Sequence, residues 1–377
     1  MIAHELVEAF AFSAPVVCAV GYMLMMLMDA RTFKRNRQER WLRLYLALTF
    51  LVTALGWLGM VLYAVSPDGF VHYHTVFLLA LMLDQVMFYR LVAILTDTGG
   101  SRSFNRLHVV IPLVITAISA LSDLLVPTEK QIKVVYGGAS LTADTWFGIV
   151  YILTSIVFIV YNALYPLLSL RNIRRYRRFV VDYSSEAQRT SLDWLFGIQV
   201  LILVCVPVPL AGVLLGIDTF ASSWFVWLGA LPYFAYYIIL CYNMLDGNYL
   251  IIQPEPADGK EEDTTQKEST IDRRQFERYL RDKKPHLDPK LRITDLAAGL
   301  NTNRNYLSAF INREYGMNFS RLINRCRLAE LDKLRLSPRY STKSNMELVL
   351  MAGFGNYRNY LRVKKEEDRL TLLKVFE

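Results

Sequence analysis

The sequence predicts an all-α protein: a polytopic seven-helix transmembrane bundle followed by a soluble domain of short helices. Three observations carry this prediction. Seven apolar runs occupy about 10–28, 42–65, 74–96, 107–126, 146–169, 192–217 and 223–245, each near the roughly 20 residues that span a bilayer. The apolar runs then stop, and residues 251–270 are dominated by Pro, Gly, acidic and small polar residues. From residue 271 on, helical periodicity returns in short stretches, with 23 Lys and Arg against 13 Asp and Glu. The chain therefore divides into a membrane part (1–250), an acidic flexible linker (251–270) and a basic soluble domain (271–377). A buried core helix would explain any one apolar run, but not seven in series separated by short polar loops.

The loops set the expected orientation. Arg31, Lys34, Arg35, Arg37 and Arg40 follow the first run, and Arg102 and Arg106 follow the third. Arg171, Arg174, Arg175, Arg177, Arg178 and Arg189 follow the fifth. The opposite loops hold only Lys130 and Lys133. The positive-inside rule then places the N-terminus outside and the C-terminal domain in the cytoplasm of a bacterial inner membrane, with the lipid bilayer as the first partner. Residues 1–8 carry Glu5 and Glu8 and no Lys or Arg, so no secretory signal is expected there. Trp41 and Trp194 fall at inner ends, and Trp146, Trp224 and Trp227 near outer ends, where amphipathic rings favour the interface. Pro207 and Pro209 should kink the sixth run, as static shape or as a hinge.

The third run has the most unusual polar content. Asp84 and Gln85 fall near mid-bilayer, where ionisable groups are expensive and face the bundle interior. Arg90 lies nearer the inner end and can reach the interface. These three are candidates for an intramembrane signal site, a small-molecule or proton site around Asp84. The alternative is a structural carboxylate bonded to Asn162, Gln199 or a Tyr. His72 and His74 at the outer end lack a third metal ligand apart from Asp68, so no metal is expected. The loop at 127–145, with Gly137-Gly138, is the longest outside and could cover a ligand. The basic run 171–178 reads first as a contact for anionic lipid, with direct contact to DNA phosphate as the alternative.

Beyond the linker, whose flexible reach is about 20–25 Å, Ile271 to Lys283 forms an amphipathic helix through Phe276, Tyr279 and Leu280. Thr294 is a suitable N-cap for a short helix with Leu296, Ala297 and Leu300 on one face. Asn301-Thr302-Asn303 reads as a turn. Arg304 to Glu314 makes a second helix with Leu307, Phe310 and Ile311 inward. Asn303, Arg304, Asn305, Ser308, Asn312 and Arg313 fall mostly on its other face. Two short helices across a three-residue turn lay the second helix in a major groove. Asn and Arg pair with adenine and guanine edges. A net charge of +10 over 271–377 supplies phosphate attraction.

These residues resemble the AraC/XylS-type regulators over about 100 residues, from about 271 to 377. The resemblance rests on Leu296-Ala297, on Arg304-Asn305-Tyr306-Leu307-Ser308, and on the stretch Asn318 to Arg327 that opens a long linker helix. It implies a double helix-turn-helix domain, with a second unit after Pro338. The stretch Glu347 to Arg362 is similar to the family pattern I-A-x-x-x-G-F-x-x-x-x-x-F-x-R. Gly353-Phe354 would form the turn and Asn356 to Lys365 the second recognition helix. Asn356, Arg358, Asn359 and Arg362 are then base-reading candidates, and Arg321, Arg325 and Arg327 candidates for phosphate or helix packing. The match fails past Arg362. Lys364 stands where the family buries a Phe, Arg369 where a Gly ends the helix, and Leu372 at a Pro. A lysine in a small core is costly.

No P-loop, nucleophile elbow or zinc-protease motif occurs, so no enzyme and no cofactor are expected. Cys18, Cys205, Cys241 and Cys326 have no metal-site or disulfide spacing. The expected function is a membrane-bound, one-component transcriptional regulator. Its partners are double-stranded promoter DNA, a small-molecule or envelope signal, and a second copy in a homodimer. The alternative is a seven-helix receptor or transporter whose C-terminal domain binds a protein.

Overall fold

In the computed structural model, residues 2–33, 36–98, 104–137, 146–186, 191–207, 210, 225–250 and 271–375 are described. Among them there is no strand, only one isolated bridge between Ser184 and Arg292. The linker 251–270 lies outside the described residues. The chain divides into two compact units, Met1–Ile173 with Asp193–Ile251, and Arg174–Leu192 with Ile252–Glu377.

The first unit holds α1 (Ile2–Asp29), α2 (Arg37–Val65), α3 (Pro67–Leu95), α4 (Leu107–Leu125), α5 (Thr128–Gly137), most of α6 (Trp146–Tyr183), α7 (Asp193–Cys205) and α8 (Phe225–Leu245). Five helices among the described residues, α1 to α4 and α6, are long and apolar enough to cross a membrane. Their outward faces carry Leu24, Met28, Leu48, Leu121, Leu124, Leu153 and Leu167, all exposed. Such apolar surface suits lipid rather than water. The sixth and seventh runs appear as the shorter apolar helices Asp193–Cys205 and Leu231–Leu245. Pro209 lies outside the described residues, and α7 ends at Cys205, before Pro207.

Helices extend beyond the apolar runs because polar caps, not hydropathy, end them. Asn36 caps α2 by accepting from the Glu39 N–H at 3.2 Å. Ser66 alone separates α2 from α3, and its Oγ accepts from the Gly69 N–H at 3.1 Å, with Pro67 opening the helix. Gly59 lets these two helices approach closely, since a Cβ there would lie 2.5 Å from the Phe77 ring. The expected outer loop at 127–145 is helical over Thr128–Gly137. The Gln131 amide donates to the Asp123 and Val126 carbonyls, both at 2.7 Å, and ties this helix to the end of α4.

The second unit contains α9 (Arg273–Lys283), α10 (Ile293–Gly299), α11 (Arg304–Tyr315), α12 (Phe319–Leu336), α13 (Asn345–Met351) and α14 (Tyr357–Val375). Two helix pairs, α10–α11 and α13–α14, flank α12. Phe276 of α9 is buried against Phe310, ring centroids 5.4 Å apart, closing the first pair as its amphipathic pattern implies. Leu331 of α12 joins Leu348, Val349, Ala352, Phe354, Tyr360 and Val363 in the core of the second pair.

Two sequence expectations need correction here. Thr294 does not cap α10, which begins at Ile293; the Asp295 carboxylate accepts from the Arg292 N–H at 2.9 Å instead. Lys364 is exposed, so the expected cost of a lysine in the core does not arise. The last helix runs on to Val375 because exposed Arg369, unlike glycine, continues it.

Candidate nucleic-acid interface

The first helix pair turns where Asn301 adopts a left-handed conformation, φ 58°, which Asn tolerates better than most residues. Asn303 then caps α11, its Oδ1 accepting from the Tyr306 N–H at 2.8 Å. One Asn303 lone pair is therefore committed to the helix, and its amide N–H groups remain for other partners. Leu307, Phe310 and Ile311 are fully buried, and this burial fixes the rotation of α11. Asn305, Asn312 and Arg313 are exposed in consequence, while Arg304 and Ser308 are half-buried. Arg313 pairs with its neighbour Glu314 at 3.0 Å.

The half-burial of Arg304 has a specific cause. Its guanidinium carbon lies 4.0 Å from the centroid of the Phe179 ring and 5.4 Å from that of Tyr183. The two rings stack on each other at 5.4 Å and 23°. Both belong to the end of α6, so a residue expected to read bases is held against aromatic rings of its own chain.

Gly316, φ 62°, closes α11, and Asn318 opens α12 by accepting from the Arg321 N–H at 2.9 Å. Along α12 the three arginines take different positions. Arg321 and Arg325 both reach Glu367 of α14, at 2.7 and 2.9 Å. They hold that carboxyl below the ordinary range even though partial burial pushes it the other way. The part of α14 beyond the family resemblance thus supplies a brace to α12. Arg327 is fully buried. It donates to the carbonyls of His286 at 2.8 Å and Asp288 at 2.7 Å, to Asn324 Oδ1 at 3.2 Å and to Ser185 Oγ at 3.0 Å. Burial pulls its guanidinium down to about 10, against the attraction of Glu186 and Asp288, and it stays charged at neutral pH. It is a packing residue, not a phosphate contact.

The second pair opens with a capping box between Ser344 and Glu347. Gly353 turns it at φ 92°, where a Cβ would strike the His286 carbonyl at 2.3 Å. Asn356 caps the last helix, accepting from the Asn359 N–H at 2.7 Å. Arg358 and Arg362 are exposed, but Asn359 is buried at 5 % exposure. Asn359 therefore faces the domain core and is withdrawn from the base-reading set. Its spacing from Arg358 and Arg362 could not reveal this, because the family pattern fixes the turn and not the rotation of the helix.

The intramembrane candidates also have partners. Thr53 Oγ1 donates to Asp84 Oδ1 at 2.5 Å, and Gln85 donates to Asn162 Oδ1 at 3.4 Å. Asp84 and Gln85 are both buried. Arg90 sits over the rings of Phe104, Tyr45 and Trp41, at 5.2 to 6.0 Å. Gln199 is buried as well, and Thr53, not Asn162 or Gln199, is the partner of Asp84. His72 turns back onto the Asp68 carbonyl at 2.7 Å, and His74 packs among Phe70, Phe77 and Tyr151. A charge missed in the sequence is Arg43, buried inside α2, which bonds Asp29 at 2.6 Å and the Met244 carbonyl at 2.7 Å. Its signal was an Arg at the second position of an apolar run, directly after a basic loop. Comparison of the chain with protein-family models, curated proteins and solved structures returns no match.

Proposed function

We propose that the protein is a membrane-bound, one-component transcriptional regulator that binds promoter DNA through its AraC-like C-terminal unit. The observation that carries this reading is the first helix pair. Leu307, Phe310 and Ile311 lock α11 so that Asn305, Asn312 and Arg313 face outward beside Arg304 and Ser308. Amide and guanidinium groups on one face of a short helix after a tight turn suit base edges in a major groove. The second pair, repeated on the other side of α12, supports contact with an adjacent groove segment through Arg358 and Arg362. The basic excess of the domain supports phosphate attraction.

The sensor is the seven-helix bundle, oriented by its basic loops with the DNA-binding unit in the cytoplasm. A signal that rearranges or pairs the bundles changes how two domains meet two half-sites. Asp84 with Thr53, and Gln85 with Asn162, form a polar pair of contacts at mid-span for such a signal to alter. A protein-partner reading is favoured only by the exposed Met346, Leu350 and Leu361 of the second pair.

The test uses the full chain in lipid nanodiscs. Fragments are selected from a genomic DNA pool, and binding is repeated over a salt series. Sequence reading predicts a recurrent motif and a steep fall in affinity with salt. Asn305→Ala and Asn312→Ala should each relax the motif at one position, at a cost of about 1–3 kcal/mol. Retention of no DNA by folded protein would overturn the reading and promote a protein partner.

A further inference from the structure

We infer that Phe179 to Glu186 is a built-in competitor for DNA, a strap that holds Arg304 and crosses both helix pairs. The inference rests on the DNA-binding reading above and adds its regulation.

The strap begins in α6, whose 38 residues reach about 57 Å at 1.5 Å per residue. That is nearly twice the roughly 30 Å hydrocarbon thickness, so its basic end from Arg171 on lies outside the bilayer. Within the second unit this end makes a continuous set of contacts. Phe179 and Tyr183 stack on the guanidinium of Arg304, the first residue of α11. Ser184 bridges to Arg292 at the start of α10, and the Ser185 N–H donates to the Leu291 carbonyl at 3.1 Å. The Ser185 carbonyl accepts from Ser320 at 3.4 Å and its hydroxyl from Arg327 at 3.0 Å, both on α12. Glu186 lies so close to Gly355, in the second turn, that a Cβ there would meet its carboxylate at 2.0 Å.

These are the chemical features of a nucleotide strand in protein form. The N-terminal residues of a recognition helix make the base contacts. Arg304 occupies that position, and here its flat guanidinium is covered by ring faces as it would be by a stacked base. The Asp182 carboxylate attracts the same guanidinium. Glu186 sets a second carboxylate two residues before α14 begins, where a helix N-terminus favours a phosphate. DNA and strap therefore compete for Arg304 and for the approach to both recognition helices. Because the strap is the end of a membrane-crossing helix, a signal that shifts this helix has a direct covalent route to it. Affinity for DNA is set by the fraction of molecules whose strap is released.

The experiment measures DNA affinity of the full chain in nanodiscs at one fixed salt concentration, on the motif selected above. The variants are Phe179→Ala/Tyr183→Ala and Phe179→Leu. Loss of two ring contacts should tighten binding about tenfold, since cation–π contacts of this kind shift equilibria by that order. Phe179→Leu keeps the apolar volume without the ring and should tighten binding by a smaller factor. It decides the matter if the double variant fails to fold. The gain must act through Arg304: adding Arg304→Ala to Phe179→Leu should abolish it, a coupling that a merely structural role would not produce. Equal affinity of wild type and Phe179→Leu would overturn the strap and leave DNA binding standing. A gain that survives Arg304→Ala would also overturn it. Absence of binding by wild type and every variant would overturn the DNA reading itself.

Discussion

Arg327→Met tests whether one buried guanidinium ties α12 to the turn at His286–Asp288 and to Ser185. The methionine nearly conserves volume, so packing changes little and the polar loss is isolated. Five acceptor atoms face the guanidinium: three backbone carbonyls, of His286, Asp288 and Ser185, together with Ser185 Oγ and Asn324 Oδ1. Buried ion networks can sometimes be replaced by apolar residues without loss, because both partners are removed together. That escape is closed here, since three of the acceptors are main-chain atoms that no side-chain substitution removes. Each hydrogen bond to a charged group is worth about 1.5–3 kcal/mol, but the bonds to one group do not add. Deleting one side of a buried network costs about 3–5 kcal/mol, which is the expected loss here.

A chain of two compact units does not unfold in two states, so a single melting temperature would mix the two. Hydrogen exchange by mass spectrometry on the full chain reads the second unit separately. The expected loss raises exchange of the slowest amides in Phe319–Leu331 by about 150-fold to 5,000-fold. Peptides from α2 and α3 should be unchanged. Arg327→Lys, which keeps the charge but fewer donors, should fall between wild type and Met. A less than tenfold change for Arg327→Met would refute the argument that this residue ties α12 to the turn at His286–Asp288 and to Ser185.

Further outcomes follow from the same geometry. Gly353→Ala should cost about 2–6 kcal/mol, because a left-handed φ and a Cβ clash with backbone combine, whereas Gly316→Ala, with open space around it, should cost only about 1–2 kcal/mol; exchange at α13 and α11 separates the two. Burial holds the His286 imidazole below its ordinary value, with Lys284, Arg327 and Lys333 adding to the effect against Glu330. The folded unit therefore binds fewer protons than the unfolded chain, and its stability falls as pH drops below about 6.5. His286→Leu should flatten exchange-derived stability between about pH 7.5 and 5.5. Glu330, held low by Lys284, loses its contribution only below about pH 4.5, outside that window. Asn359→Ala should leave the selected DNA motif unchanged while Arg358→Ala weakens binding, since only the arginine is exposed. Thr53→Val should lower bundle stability by about 1 kcal/mol in reversible detergent unfolding, the worth of one side-chain hydrogen bond in a membrane.

What could be read from the sequence, and what could not, separates along one physical line. Apolar runs and caps are local properties, so the five long apolar helices, the turn at Asn301–Asn303 and the inward set Leu307, Phe310 and Ile311 were legible without coordinates. The Thr294 cap failed because the helix already begins at Ile293, with the Asp295 carboxylate on the Arg292 N–H, two residues before the hydroxyl expected to open it. The partners of charged side chains were not legible, because they depend on contacts far apart in the chain. Arg304 and Asn359 both carried the right residue type for base reading. One is stacked on rings 125 and 121 positions earlier in the chain, and the other is turned inward by the packing of Tyr360 and Val363. Yet Phe179 and Tyr183 did leave a local trace. They are aromatic residues spaced one helical turn apart, directly after the basic run Arg171–Arg178, on the part of the helix that continues past its apolar run. A polar helix end at that place needs no large rings for solubility. Two rings on one face imply a partner, and a flat cation is among the partners that ring faces select. The basic run itself admits lipid and DNA alike. The ring pair beside it distinguishes this segment from a plain lipid anchor, because it is held against Arg304, the first residue of α11.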